Sequence, residues 1–178
     1  MRGGTIGCLV NAGAIVVVDS QFPAEGKVCL DGLNTQSGGR GVDFLINTHH
    51  HGDHSAGNVS LRGAAKKVVA QVKAAEHMHN PPGAQPPTDQ LFPATTFTET
   101  WAADVGDERV SARHYGRAHT SGDAVITFVD SHMKAGRTRD EILAMRDPLK
   151  GFESYGRFGQ ANPRDILTCA HEEITTGQ

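Results

Sequence analysis

With 178 residues, 21% of them charged and 38% hydrophobic, the sequence has the size and composition of a globular domain that can bury a core. A net charge of −3 and the lack of any lysine and arginine cluster argue against a nucleic-acid surface. No apolar run approaches the roughly 20 residues that cross a bilayer, so neither nucleic acid nor a membrane is expected as a partner.

The first half of the chain predicts alternating strands and helices. Residues 5–10 and 14–19 are apolar runs joined by Asn11-Ala12-Gly13, which indicates a β-hairpin. A helix is expected over residues 23–39, and an apolar, β-branched run predicts a strand at 42–48. Then come a short helix at 55–62, a short strand at 67–70 and a helix at 72–78.

The second half begins with a loop, because residues 80–93 contain five of the eight prolines. Residues 95–101 and 109–115 alternate like two antiparallel strands around a turn at Gly106-Asp107. A further strand is expected at 124–129 and helices at 139–145 and 163–173. Interleaved strands and helices predict an α/β or mixed α+β fold.

The stretch His49-His50-His51-Gly52-Asp53-His54 holds four of the ten histidines and directly follows the strand at 42–48. Imidazole and carboxylate are ligands that zinc prefers. The carboxyl ends of strands are also where α/β folds usually place their chemistry. A two-residue step in an extended loop brings His49 and His51 to one side, and a nearby turn can add Asp53 and His54.

Catalytic zinc usually needs three protein ligands and one open position, so a further ligand is expected. His119 is the candidate, in the small-residue loop 116–123 between two predicted strands. Asp123, in the same loop, is suited to hold a ligand imidazole in the right tautomer by hydrogen bonding.

Three motifs together carry a family resemblance: His49-x-His51-x-Asp53-His54, Ala118-His119-Thr120-x-Gly122-Asp123, and the earlier Val17-Val18-Asp19-Ser20. In this combination, over residues 4–129, the sequence strongly resembles the metallo-β-lactamase-fold hydrolases. The resemblance implies a four-layer αββα sandwich that holds one or two metal ions. It implies a single domain over residues 1–178, with the core and metal motifs in 1–132 and a helical tail in 133–178.

The same resemblance assigns roles to individual residues. It implies the first-metal ligands His49, His51 and His119, the second-metal ligands Asp53 and His54, and the supporting residues Asp19 and Asp123. Asp19 is expected to hydrogen-bond the metal loop rather than bind metal. Asp53 is also expected to orient the nucleophile and shuttle a proton.

The sequence departs from the family pattern after His132. The family's bridging aspartate, in a Gly-Asp, and its final histidine, in a Gly-His, do not follow; Met133 begins the helical tail instead. A segment of several tens of residues is therefore expected to be missing between His132 and Met133. Either the molecule contains residues that this sequence omits, or the protein is shortened and its second metal site is incomplete.

The resemblance implies a zinc-dependent hydrolase in which a metal-bound hydroxide attacks an ester, lactam, lactone or thioester of a small molecule. One or two zinc ions are expected. Two alternatives stay open: an iron-dependent oxidoreductase with the same ligands, and a metal-binding protein with an incomplete, inactive site. The oligomeric state is not readable from the sequence. Localisation is open too, since a soluble protein exported to the periplasm could have lost a leader before residues 1–4.

Several remaining histidines and all cysteines are expected to have no chemical role. His50 should point away from its two neighbours and is not expected to bind metal. His77 and His79, near the end of a predicted helix, are expected to face solvent or cap the helix. The cysteines Cys8, Cys29 and Cys169 are widely spaced and form no CxxC pair, so we expect small buried side chains rather than a disulfide framework.

Overall fold

The structure, a computed structural model, describes residues 3–85, 87–106 and 108–129. The described residues up to position 128 belong to one compact unit. The helices expected at 139–145 and 163–173, the helical tail at 133–178 and the junction between residues 132 and 133 lie outside the described residues. The expected single domain over 1–178 therefore stays a prediction.

A five-stranded, mostly parallel sheet forms the centre of the unit. Its strands, in the order β1-β2-β3-β4-β5, are Gly7–Val10, Ile15–Val18, Val42–Asn47, Ala65–Gln71 and Thr95–Phe97. β1 and β2 are the predicted antiparallel hairpin, whereas β2, β3, β4 and β5 pair in parallel. The parallel strands bring their carboxyl ends to one edge of the sheet, and the histidine stretch begins just after β3 at that edge.

A second sheet has the order β6-β7-β8, with strands Thr100–Val105, Glu108–Arg113 and Val125–Val129. β6 and β7 form an antiparallel pair around Gly106, which adopts the left-handed φ of 71° that such a turn requires. The prediction of one strand over 95–101 was wrong. The chain bends at residues 98–99, so its first part pairs with β4 in one sheet and its second part with β7 in the other.

The helices connect the strands of the first sheet. They are α1 at Pro23–Ser37, α2 at Gly52–Ser55, a 3₁₀ helix at Ala56–Leu61, and α3 at Val72–His79. Pro23 at the first turn and Gly38 in the left-handed region (φ 68°) mark the two ends of α1. The helix predicted at 55–62 is thus mainly a 3₁₀ helix. In the described part of the chain, no helix is long and apolar enough to cross a membrane.

Alternating side chains of the first sheet build two cores. Val16, Ile46 and Val69 face the second sheet, where they pack with Val105 and Val110. The intervening residues face the helices, in a core formed by Ile15, Val17, Leu33, Val42, Leu45, Leu61 and Val68. A sheet buried on both faces explains the nearly continuous apolar runs of β2 and β3. The described residues form a helix layer and two sheet layers, which are three of the four layers of the expected αββα sandwich.

Candidate metal centre

Three histidines from distant parts of the chain meet at the carboxyl edge of the first sheet. His49 and His51 come from the loop after β3, and His119 comes from the loop before β8. One potential ligand atom of each lies within 4.8 Å of the other two. Nε2 of His119 is 3.0 Å from Nδ1 of His51. The three imidazoles can therefore converge on one ion with little movement.

The hydrogen bonds of His49 leave one ring nitrogen free for a metal. Nδ1 of His49 is 3.1 Å from the hydroxyl oxygen of Thr48, and that hydroxyl lies 2.7 Å from Oδ2 of Asp19. Because the ionised carboxylate can only accept, Thr48 donates its proton to Asp19 and accepts from Nδ1–H of His49. Nε2 of His49 then carries a lone pair, and this buried atom has no hydrogen-bond partner. Such an orphaned nitrogen is suited to coordinate a cation.

Asp19 also holds His54, the last residue of the histidine stretch. Oδ2 of Asp19 is 2.7 Å from Nδ1 of His54, while Oδ1 accepts from the backbone N–H of Thr48 at 2.8 Å. Asp19 is 3% exposed and has a φ of 59°, which is costly for a residue with a side chain. The strained backbone turns its carboxylate towards the loop, so the expected hydrogen bonding of Asp19 to the histidine stretch is observed.

Asp53 and His54 lie beside the three histidines and form a second group. Nε2 of His54 is 3.7 Å from Oδ2 of Asp53. The His54 ring centroid is 4.1 Å from that of His49. Because Nδ1 of His54 donates to Asp19, its Nε2 is free on the side of Asp53. The chain thus offers an imidazole nitrogen and a carboxylate next to the first group, where the sequence predicts ligands of a second metal.

The electrostatic surroundings keep His49 neutral. Burial lowers its pKa, and the neighbouring imidazoles of His54, His51 and His119 lower it further, against the opposite effect of Asp19. The hydrogen bond to Asp19 instead raises the pKa of His54, although burial opposes it. A neutral imidazole is the form that binds a metal, so His49 meets this requirement at neutral pH.

His50 lies beside the three histidines, with its ring centroid 4.7 Å from that of His51. Burial, together with the nearby imidazoles of His51, His77 and His49, lowers its pKa to about 4. Its ring centroid is 4.8 Å from that of His77 on α3. The expected separation of His50 from both neighbours is therefore not observed, and its buried Nδ1 also has no hydrogen-bond partner. His50 is nevertheless not a member of the candidate ligand group.

A turn braced by Asp123 carries His119. The carboxylate of Asp123 accepts hydrogen bonds from the Thr120 backbone N–H at 2.6 Å and from the Thr120 hydroxyl at 2.8 Å. Burial alone would raise the pKa of Asp123, but these bonds outweigh it and lower the pKa. The sequence predicts a contact of Asp123 with a ligand imidazole. The structure instead places the carboxylate on Thr120, so it orders the backbone next to His119.

The turn also rests on α3. Nε2 of His77 is 2.8 Å from the hydroxyl of Ser121. A Cβ atom at Gly122 would lie 2.3 Å from the backbone nitrogen of Ala74, so only glycine fits against the start of this helix. The prediction that His77 faces solvent or caps the helix was wrong, because the helix turns this side chain towards the His119 turn. His79 is exposed and stacks on Phe92.

A buried amide network fixes the start of the histidine stretch, and the sequence gives no sign of it. Asn47 and Asn58 exchange two side-chain hydrogen bonds of 3.0 and 2.8 Å, and Ser20 donates to Asn58 at 2.7 Å. Asn47 also donates to the carbonyl of His54. Asn58 comes from the 3₁₀ helix, and its proximity to Asn47 depends on tertiary contacts. Thr48 is easier to find from sequence, since it directly precedes the first histidine.

The chain belongs to the metallo-beta-lactamase superfamily, whose family model matches residues 3–133. This match includes both sheets and all three histidines of the candidate ligand group.

Solved structures share the fold at low sequence identity. A subclass B3 metallo-beta-lactamase isolated from a soil metagenome library is 22% identical over 71% of this chain and 52% of its own, with a TM-score of 0.58. The Rm3 metallo-beta-lactamase is 18% identical over 72% of this chain and 51% of its own, with a TM-score of 0.57. A metallo-beta-lactamase of Cronobacter sakazakii is 16% identical over 70% of this chain and 48% of its own, also with a TM-score of 0.57. The chain therefore spans about half the length of these relatives.

Proposed function

We propose that this protein is a zinc-dependent hydrolase of small molecules with a lactam, lactone, ester or thioester bond. The observation that carries the proposal is the convergence of His49, His51 and His119, with the buried Nε2 of His49 left without a hydrogen-bond partner. Three neutral imidazoles and an open position are the ligand set of catalytic zinc. The similar SMB-1 metallo-beta-lactamase has been solved in a complex with mercaptoacetic acid, which supports a small-molecule substrate.

In this proposal, different residues bind the metal ion, fix the tautomer of a ligand and orient the nucleophile. His49, His51 and His119 hold the ion, and Thr48 and Asp19 keep His49 in the tautomer that exposes Nε2. Zinc in such a site lowers the pKa of bound water from about 16 to about 7, which supplies a nucleophile at neutral pH. With the ion bound, the Asp53 carboxylate, 39% exposed beside His54, would orient the water and could accept its proton.

Asp53 and His54 are also the proposed ligands of a second zinc ion. They offer Oδ2 and Nε2 respectively, and Asp19 fixes the His54 ring through Nδ1. Two ligands are too few for a complete zinc site, so the second ion needs further donors. An incomplete second site would leave the one-metal form as the working state.

The test is hydrolysis of a panel of chromogenic lactams, lactones, thioesters and aryl esters by the whole chain. We expect turnover of at least one substrate, lost on chelation, restored by zinc and abolished by His49→Ala. The matched control is His79→Ala, which removes an exposed imidazole and should leave the rate unchanged. Unchanged turnover in His49→Ala would refute the mechanism, and metal binding without hydrolysis of any substrate would favour an inactive metal-binding protein.

Metal analysis distinguishes the proposed hydrolase from a second candidate function. The same histidine and carboxylate ligands also suit iron, which favours an iron-dependent oxidoreductase as the alternative. Purified protein that contains iron and shows redox turnover, with no zinc-supported hydrolysis, would overturn the hydrolase proposal. Zinc as the metal of the hydrolytically active form would exclude the alternative.

A further inference from the structure

Two cysteines that are 21 positions apart in the sequence lie in contact away from the metal centre. Sγ of Cys8 is 3.7 Å from Sγ of Cys29. Both cysteines are free and partly buried. The contact follows from the fold: Ile6 and Cys8 face the helix side of the sheet, where Cys29 and Leu30 of α1 pack against the same core. The sequence predicts three unrelated small buried side chains, and the structure pairs two of them.

We propose that Cys8 and Cys29 are a site of thiol–disulfide exchange, at which a low-molecular-weight disulfide closes a reversible cross-link between β1 and α1. A disulfide needs a sulfur–sulfur distance of about 2.0 Å, so the thiols must approach by about 1.7 Å. Rotation of two side chains can supply a movement of this size. The partial exposure of both cysteines gives a small reagent access.

The environment of the pair sets the order of the two steps. A hydrogen bond from Cys8 lowers the pKa of Cys29, although burial opposes it, whereas the same bond and burial raise the pKa of Cys8. The Cys29 thiolate therefore attacks one sulfur of the reagent, forms a mixed disulfide and releases one thiolate. Cys8 then loses its proton and attacks Sγ of Cys29, which forms the Cys8–Cys29 bond and releases the second thiol. Two protein thiols are oxidised and one reagent disulfide is reduced.

The cross-link would join β1, an edge strand, to α1. β1 is the edge of the five-stranded sheet, so among the strands of that sheet it pairs with β2 alone. The segment just before β1 lies on the histidine stretch, where the N–H of Gly4 donates to the carbonyl of Asp53 and a Cβ at Gly4 would meet the His54 ring. Oxidation would therefore fix β1, the strand whose preceding segment contacts the histidine stretch.

The experiment uses the reduced, metal-loaded whole chain with Cys169→Ser, which leaves Cys8 and Cys29 as its only thiols. Oxidised glutathione is added, free thiols are blocked, and peptides are mapped by mass spectrometry without reduction. We expect a Cys8–Cys29 cross-linked peptide that has lost two hydrogen atoms and retains no glutathione. The thermal midpoint should rise by several degrees and return to its original value with dithiothreitol.

Two single variants test the exchange. Cys8→Ser should stop at a stable mixed disulfide on Cys29, and Cys29→Ser should stop at one on Cys8, because neither variant has a second thiol to displace glutathione. Glutathione retained on either cysteine while the other is present would overturn the proposal. Free thiols that persist at both positions would overturn it as well.

Discussion

The hydroxyl oxygen of Thr48 lies 3.1 Å from Nδ1 of His49 and links this imidazole to the carboxylate of Asp19. The link decides which ring nitrogen of His49 carries the proton. It also explains how Asp19, 30 positions before His49, affects a metal site although it is not one of the candidate ligands. Through Thr48 and directly through His54, one buried carboxylate orients both candidate metal groups.

Replacing Thr48 tests this link. Thr48→Val keeps the shape of the side chain but removes the hydroxyl, so His49 loses the partner that fixes its tautomer. We expect the affinity for zinc to fall about tenfold or more, the usual cost of removing an outer hydrogen-bond partner. Thr48→Ser retains the hydroxyl and should restore most of the affinity. Competition with a chromophoric chelator measures both, and equal affinities for the two variants would contradict the assigned relay.

His77 is predicted to position His119 through Ser121. Removing either partner of their 2.8 Å hydrogen bond in His77→Ala or Ser121→Ala frees the turn from α3. Zinc affinity should fall by about tenfold in each, and the double variant should lose no more than either single one. His79→Ala is the matched control from the same helix, since His79 is exposed and outside this contact. Additive losses in the double variant would show that the two residues act separately.

Gly122 is predicted to tolerate no side chain. In Gly122→Ala the new Cβ would lie 2.3 Å from the Ala74 nitrogen, and backbone atoms cannot rotate away. We expect a loss of about 2 kcal/mol or more in the free energy of unfolding. In Gly7→Ala the Cβ has an ordinary 3.6 Å contact with Val18, so this control should change stability by less than about 1 kcal/mol. Urea unfolding measures both, and similar values would contradict the close packing of the turn on α3.

Asp43 is expected to make the stability of the fold depend on pH in a way that does not involve the metal. Burial raises its pKa, but Lys66 at 2.7 Å and the N–H of Ile15 at 2.8 Å outweigh this effect, so the pKa lies below its usual 3.8. A carboxyl group with a lowered pKa stabilises the fold at any pH above its pKa in the unfolded chain. This stabilisation is lost as the pH falls through its pKa in the folded protein. Asp43→Asn should therefore cost about 1 kcal/mol at pH 7 and less at about pH 3.

The control for Asp43 is Asp31→Asn. Asp31 forms an exposed ion pair with Lys27 on α1, and such pairs contribute little to stability. Urea unfolding of the apo protein at the two pH values gives the comparison. If Asp43→Asn lost as much stability in acid as at neutral pH, the lowered pKa would be contradicted.

The sequence is most informative where a local pattern decides the structure. The β-branched runs of β2 and β3, the proline and glycine at the ends of α1 and the two-residue spacing of His49 and His51 are local signals, and the structure agrees with each. The bend at residues 98–99 is different. Its strand-forming residues continue without a break, and the change of sheet depends on which neighbour each half pairs with.

The features that the sequence does not predict depend on contacts between residues that are distant in the chain. His77 has the sequence environment of an exposed helical residue, and only the packing of α3 against the His119 turn gives it a partner. The same holds for Asn58 with Asn47 and for Cys8 with Cys29, because no spacing rule connects their positions. Asp123 was expected to hydrogen-bond a ligand imidazole, but the conformation of the turn places its carboxylate on Thr120 instead.

The central claim is that His49, His51 and His119 together bind one metal ion. The most direct measurement is zinc affinity and stoichiometry of the whole chain, compared with His119→Ala and with the exposed His79→Ala as the control. We predict one tightly bound zinc ion, a loss of more than about a hundredfold in affinity for His119→Ala, and nearly unchanged affinity for His79→Ala. Equal zinc affinity with and without His119 would contradict the account.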